Sequence, residues 1–176
     1  MSKDYKPDNI VKVSSSYAYE GNFIRQDVLD AFIEMRNAAK EEDITLIINS
    51  SYRSYDDQEE IWQYRKSTQG IAKADAYAAR AGHSEHQSAL ALDIAQFNYQ
   101  YDDFEETPAF QWLEKHAFEY GFILRFPKGK ENITGYSYES WHYRYVGKDI
   151  ATKVHNENIT FDEYYAYYLE NGEENG

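Results

Sequence analysis

His86 and Asp93 stand seven residues apart in the stretch Ala81-Gly82-His83-Ser84-Glu85-His86-Gln87-Ser88-Ala89-Leu90-Ala91-Leu92-Asp93. His142 follows Glu139 by three residues in Tyr138-Glu139-Ser140-Trp141-His142-Tyr143. Two imidazoles and one carboxylate suit a catalytic zinc, which keeps its fourth position for water. His86, Asp93 and His142 are therefore the candidate metal ligands. Glu139 is the spare carboxylate that could take a proton from such a water. Asp93 lies between Leu92 and Ile94, where its charge must be compensated, by a metal or by a salt bridge.

The spacing from His86 to Asp93 constrains the backbone. On a helix, seven residues rise about 10.5 Å, too far for a short Asp to share a metal with His86. On a straight strand the two side chains point to opposite faces and lie more than about 20 Å apart. The chain must bend between them, and the small pair Ser88-Ala89 is the expected place. Asp93 is then expected in a strand from Leu90 to Ala95, with His86 on the loop before it. The same parity separates Glu139 from His142 and predicts a bend near Ser140.

At 176 residues the chain suits one domain with a sizeable core. Eighteen Lys and Arg against 31 Asp and Glu give a formal charge of −13. That balance argues against nucleic acid or an anionic membrane surface as the main partner. Cysteine is absent, which removes disulfides, thiol nucleophiles and cysteine zinc sites. No run approaches the roughly 20 apolar residues of a membrane span, and Met1 to Pro7 does not resemble a signal peptide. Either the protein is cytoplasmic or an export segment lies outside these residues. The 18 tyrosines and nine phenylalanines point to an aromatic-walled cleft or to ordinary packing.

Residues 1–24 read as a polar lead-in, 25–169 as the working domain and 170–176 as an acidic tail. Apolar positions at helical spacing predict a helix from Arg25 to about Glu41. Ile44 to Asn49 is a β-branched run and reads as a buried strand. Ser54 with Asp57 forms a capping-box signature for a helix from Tyr55 to about Lys66. A Gly70 break precedes a further helix, Ile71 to Arg80. Asn98 to Glu106 is an acidic aromatic loop, and Thr107-Pro108 opens a helix that stops at Gly121. Phe122 to Phe126 and Trp141 to Val146 read as strands, Pro127 to Lys130 as a turn, and Val154 to Leu169 as weakly helical. The succession is α+β, with a small, mainly antiparallel sheet flanked by helices.

Laid end to end, these pieces resemble the VanY-type zinc D-alanyl-D-alanine carboxypeptidases, and within that group the LD-carboxypeptidases of Gram-positive cell-wall metabolism. The resemblance covers about residues 25 to 155. It rests on Ser50-Ser51-Tyr52-Arg53-Ser54 with Gln58, on Ser84-x-His86 with Asp93, and on Leu124-Arg125-Phe126-Pro127-Lys128-Gly129-Lys130. It continues through Thr134-Gly135-Tyr136, Glu139-x-Trp141-His142 and Arg144-Tyr145-Val146-Gly147. The sequence departs from the family pattern at Ala81 and Ser140, where proline is usual, at Phe126, where tyrosine is common, and at Ala89, where glycine is usual. A positive φ at Ala89 would cost about 1 kcal/mol.

The resemblance implies a hedgehog/DD-peptidase-like fold and one zinc per chain on His86, Asp93 and His142, with Glu139 as general base. Arg53, Gln58 and Ser84 would hold the substrate's C-terminal end or its scissile carbonyl. A planar guanidinium suits a terminal carboxylate, whereas Arg53 could also merely pair with Asp56 or Asp57. Trp141 is a substrate-binding candidate that could equally pack beside His142. His83, His116 and His155 are read as structural or exposed. The implied activity is removal of a C-terminal D-alanine from a peptidoglycan stem peptide, by a monomer acting outside the cell or at its surface. The tetrapeptide is the preferred substrate, chiefly because the resemblance is closer to the LD-carboxypeptidases; the acidic loop Tyr101 to Glu106 could also meet the free amine of a lysine or diaminopimelate side chain. The alternatives are a DD-carboxypeptidase on pentapeptides, a lysin-type endopeptidase, or a wall-binding or metal-binding module without turnover. An intact Glu139 disfavours the last, because binding alone does not need a base.

Overall fold

The computed structural model of the chain describes residues 1–97 and 101–170, the side chains of 101–103 excepted. Strand β1 (Ile10–Lys12) pairs antiparallel with β2 (Phe23–Arg25), which leads directly into helix α1 (Gln26–Lys40). Helical spacing buries Val28, Leu29, Phe32, Met35 and Ala39 on one face of α1. Residues 1–24 are not a loose lead-in. Val13 and Ala18 join the core, and the backbones of Tyr17 and Tyr19 bond to the two sides of Ile48. Strands of three residues are too short for any period to show in the sequence.

Strand β3 (Leu46–Ser50) is followed by α2 (Tyr55–Gln69) and α3 (Ile71–Tyr77). The predicted capping box opens α2: Asp57 N donates to Ser54 Oγ at 3.1 Å and Ser54 N to Asp57 Oδ2 at 3.0 Å. Trp62, Ala74 and Ala78 close the α2–α3 hairpin, and α3 ends three residues before Arg80. Next come β4 (Ala91–Gln96) and α4 (Pro108–His116), whose Thr107 cap accepts from Phe110 N as predicted. The chain then turns at Gly121, where a Cβ would stand 2.8 Å from the Tyr145 ring, and forms β5 (Phe122–Leu124), α5 (Glu131–Thr134) and β6 (His142–Tyr145).

Two stretches differ from expectation. The weak helix expected over Val154 to Leu169 is instead α6 (Lys148–Glu157) and α7 (Phe161–Tyr164), the latter running into a π-helical turn over Tyr165–Glu170. Asn158 breaks the run with a left-handed φ of 51°, and Thr160 with Glu163 caps α7. The acidic loop winds into a 3-10 helix over Tyr101–Glu106, with Phe104 buried in the core. Residues 98–100 of that loop and 171–176 of the tail lie outside the described residues.

The main sheet runs β3-β4-β6-β5, antiparallel throughout, and bears out the α+β class. Leu46, Ile48, Leu92, Ile94, Phe122 and Tyr143 share one core with residues of α1 and α4. Strand alternation turns Asp93 to the opposite side from Leu92 and Ile94. On that face Asp93 is paired directly with His142 of β6, and on its other flank with Ser50 at the end of β3. Cross-strand partners of this kind hold their Cβ atoms about 5 Å apart.

The bend between His86 and Asp93 falls where parity requires it, with Ala89 at φ 54° and ψ 26°. The left-handed conformation costs an L-residue about 1–2 kcal/mol. Ala89 is fully buried, however, so its methyl contributes about 0.8 kcal/mol. Glycine would also loosen the unfolded chain, at about 0.4–1 kcal/mol. These effects nearly cancel, which explains how alanine is tolerated. Ala89→Gly should therefore change the unfolding free energy in urea by less than about 1 kcal/mol. A gain above about 2 kcal/mol would show that strain dominates.

Candidate metal centre and active site

Four segments converge where β3, β4 and β6 end. Arg53 leaves the end of β3, His86 sits in a 3-10 turn over Glu85–Ser88, Asp93 projects from β4, and Glu139 and His142 flank the entry to β6. Ser84 opens the turn, its Oγ accepting from His86 N at 3.3 Å. His86 Nδ1 donates to the Ser51 carbonyl at 2.6 Å. That leaves Nε2 as the acceptor, 3.3 Å from Asp93 Oδ1. His142 presents Nδ1 to the same oxygen at 3.1 Å, while its Nε2 faces Glu85 Oε2 at 3.5 Å. One ligand atom from each of His86, Asp93 and His142 lies within 4.8 Å of the others, and all three residues are buried.

Without a cation, the protein compensates Asp93 in other ways. Burial opposes its ionisation, yet His86, His142 and Arg53 hold the carboxyl well below the usual carboxylate range. Burial and the Arg53 charge lower His86 to about 4. At His142 burial works against protonation, but hydrogen bonds to Asp93 and Glu85 push it up to about 9. Arg53 Nη2 donates to Asp93 Oδ2 at 2.8 Å and to His86 Nε2 at 2.7 Å. A proton on His142 and the Arg53 guanidinium thus stand where a divalent cation would act. Two neutral imidazole nitrogens and a carboxylate oxygen converging this closely fit zinc, with each histidine oriented through its other nitrogen.

Glu139 lies beside the three. Its Oε2 is 3.7 Å from His142 Nδ1, and its backbone N donates to Phe126 O at 3.2 Å. His142 N donates to Glu139 O at 3.4 Å, closing the turn that parity predicts near Ser140. Burial raises Glu139 to about 7, with Asp93 adding to the effect and His142 and Arg53 opposing it. A carboxyl near neutrality is suited to moving a proton.

Arg53, Gln58, Ser84, His86, Asp93, Glu139, Trp141 and His142 all line one cavity of about 540 Å³. Phe126 and Tyr136 add aromatic wall, and His83 reaches the same cavity. His116 and His155 are elsewhere, packed on Trp112 and stacked on Phe118 respectively. The structure redirects Arg53. It pairs with neither Asp56 nor Asp57 among the described residues, and its donors are occupied by Ser50, Gln58, His86 and Asp93. It lies beside Asp93 and His86 on the ligand side of the cavity. Gln58 is a strut, accepting from Arg53 Nη1 at 3.1 Å and donating to Ala79 O at 2.7 Å.

Sequence reasoning missed Glu85 and Arg125. Glu85 accepts from Arg125 Nε at 2.8 Å and holds the outer nitrogen of His142. Burial would raise its carboxyl, but His142, Arg125 and Arg144 keep it well below the ordinary range. Arg125 is in turn gripped by Asp162, at 2.6 and 3.2 Å. Glu85 is the neighbour of His86 in sequence yet serves His142, and nothing in the local pattern marks so distant a partner.

Fold and donor set together mark a candidate metal centre. The family model described as "VanY: D-alanyl-D-alanine carboxypeptidase" matches residues 21–148, and the chain belongs to that family. YodJ of Bacillus subtilis (strain 168), a carboxypeptidase by name, is 39% identical over 172 residues, covering 92% of this chain and 62% of its own. The D-alanyl-D-alanine carboxypeptidase of Enterococcus faecium is 36% identical over 149 residues, covering 84% of this chain and 46% of its own. The chain thus spans about half to three-fifths of these relatives. Among solved structures, the LdcB LD-carboxypeptidase overlays with a TM-score of 0.86 at 38% identity, covering 94% of this chain and 80% of LdcB. VanYB in complex with D-alanine-D-alanine overlays at 0.81 and 30% identity, covering 96% and 93%. A variant of the D,D-pentapeptidase VanY in complex with Zn(II) overlays at 0.80 and 29% identity, covering 93% and 92%.

The raised Glu139 predicts a stability change with a definite sign. Its carboxyl titrates near its ordinary value of 4.5 in the unfolded chain and at about 7 in the folded, metal-free protein. Ionising it therefore costs folding stability as pH rises through that window. Glu139→Gln should stabilise the metal-free protein at pH 8, with the gain shrinking as pH falls and gone below about 4.5. Denaturant melts across that range check this, and a variant less stable at pH 8 would contradict it.

Proposed function

We propose that this chain is a zinc carboxypeptidase that removes the C-terminal D-alanine from peptidoglycan stem peptides. It would hold one zinc on Nε2 of His86, the carboxylate of Asp93 and Nδ1 of His142. The observation that carries the reading is the convergence of these three atoms beside a buried carboxyl raised to about 7, in one cavity. When bound there, zinc supplies a Lewis acid that polarises a carbonyl and brings the pKa of water toward about 7.

The remaining work falls to the chain's own side chains. Glu139 takes the proton of the attacking water and passes it to the leaving amine as the peptide bond breaks. Arg53, beside Asp93 and His86, faces the scissile carbonyl and stabilises the charge developing on its oxygen. It must first release His86 Nε2, whose lone pair the metal needs. Gln58 keeps the Arg53 guanidinium in place, Ser84 fixes the His86 turn from the cavity wall, and Trp141 and Phe126 shelter the reacting bond from water.

Among stems, we favour the tetrapeptide that ends in a dibasic residue followed by D-alanine. The higher identity to the LD-carboxypeptidases LdcB and DacB, 38% and 34%, than to VanYB, 30%, supports this choice. The acidic loop lends it no weight: the side chains of Asp102 and Asp103 lie outside the described residues, and Phe104, Glu105 and Glu106 do not line the cavity. Such a substrate places the working protein outside the cell or at its surface, and we read it as a monomer. No helix among the described residues is long and apolar enough to cross a membrane.

The deciding experiment offers tetrapeptide and pentapeptide stems at equal concentration to the zinc-loaded protein and follows the products by mass. The tetrapeptide should lose its terminal D-alanine first. Preferential trimming of the pentapeptide would make the protein a DD-carboxypeptidase, and an internal cut would make it an endopeptidase. Zinc-loaded Glu139→Ala should keep its metal and lose about 10²–10⁴-fold in rate. Release of D-alanine from neither stem would refute the reading.

A further inference from the structure

Helix α7 lies beyond residues 21–148, which the family model matches, yet one of its carboxylates reaches the wall of the metal cavity. Thr160 opens α7 by accepting from Glu163 N at 3.1 Å, which places Asp162 in the first turn. Phe161 and Tyr164 pack on the cluster of Ile123, Ala151 and Val154, and Glu163 pairs with Lys130 at 3.3 Å. The helix is thus docked by groups other than Asp162. Asp162 turns to Arg125, which lines the cavity and whose side chain is 11% exposed. Arg125 Nη1 donates to Asp162 Oδ2 at 2.6 Å and Nη2 to Oδ1 at 3.2 Å. The rings of Phe126 and Phe161 lie 4.9 and 5.8 Å from the same guanidinium.

This grip decides how Glu85 is shared. Glu85 Oε1 accepts from Arg125 Nε at 2.8 Å and lies 3.5 Å from Arg144 Nη1, while Oε2 faces His142 Nε2 at 3.5 Å. A carboxylate beside a guanidinium gains most from two parallel bonds, and such a contact would occupy both Glu85 oxygens. Held at its far end by Asp162, Arg125 meets Glu85 through Nε alone, and Oε2 stays on the imidazole. Released from Asp162, the guanidinium would be free to close on both oxygens and take the second from His142.

We propose that Asp162 is a positioning residue for His142, acting through Arg125 and Glu85. An imidazole serves a metal best when its other nitrogen donates to a fixed acceptor, which sets the tautomer and the plane of the ring. With Glu85 kept on Nε2, Nδ1 of His142 faces Asp93 and the proposed metal position. The C-terminal segment thereby helps to assemble a centre whose three candidate ligands all precede residue 148. This role rests on the zinc reading of the cavity.

Zinc affinity, measured on the full chain by competition with a chelator, tests this. Glu85→Gln should weaken zinc by about ten- to a hundredfold, the range for outer partners of ligand histidines, and Asp162→Asn by about tenfold. Because Asp162 acts through Glu85, the double variant should bind zinc no more weakly than Glu85→Gln alone. Asp162→Glu should recover part of the loss. Glu163→Gln breaks the neighbouring ion pair of the same helix and should leave zinc affinity unchanged, whatever it does to melting. Unchanged affinity in Asp162→Asn, additive losses in the double variant, or an equal loss in Glu163→Gln would overturn the proposal. A wild type that binds no zinc would refute the metal site, and the metal-free protein then decides for or against Asp162. There the Nε2–H proton resonance of His142 should be protected from exchange by Glu85, lost in Asp162→Asn and kept in Glu163→Gln. Its survival in Asp162→Asn would count against the role just as directly.

Discussion

A single buried carboxylate governs this structure. Asp93 lies buried in the central strands of the sheet, where an uncompensated charge is prohibitively costly. Everything at the site answers that charge. Two imidazoles converge on its Oδ1 and a guanidinium on its Oδ2. In the metal-free protein the compensation is a proton on His142 and the Arg53 cation. A zinc held by these residues would displace the first and require the second to move, so its uptake would release a proton. The outer groups, Ser51 O on His86 and Glu85 on His142, set which nitrogen of each ring faces inward.

The backbone meets this requirement with two departures from regular structure. A left-handed residue at Ala89 lets His86 turn back over the strand that carries Asp93. A tight turn at Ser140 and Trp141 does the same for Glu139 and His142. Between them, the β4–β6 register sets Asp93 opposite His142. A slip of one residue would send one of the pair into the core. The apolar face of Leu92, Ile94 and Tyr143 against α1 and α4 fixes that register. The packing of the core therefore holds the site together.

Most of this was legible in the sequence. The grouping of His86, Asp93 and His142 with Glu139 beside them, both bends and the capping box at Ser54 followed from residue types and parity. What escaped needed contacts between distant segments. The pairing of β1 with β2 leaves no periodic trace in strands of three residues. The break at Asn158 was hidden by the surrounding helical composition, although an asparagine followed by Thr160-x-x-Glu163 is a stop and a restart. Glu85 was passed over because its partner is remote in sequence. Local sequence also does not show that Arg53 is held by Gln58, Ser50 and Asp93, contacts that come from three separate segments.

Two arginines divide the cavity by what they touch: Arg53 beside the ligands, and Arg125 behind Glu85 and tied to the C-terminal helix through Asp162. That division has meaning only if a cation sits where Asp93 draws it. Diffraction at the zinc absorption edge from crystals of the zinc-loaded protein tests this most directly. One anomalous peak per chain should be bonded to Nε2 of His86, the carboxylate of Asp93 and Nδ1 of His142, with the Arg53 guanidinium withdrawn from His86. A peak bonded through Nε2 of His142 and Glu85, or a cavity with no peak at all, would contradict it.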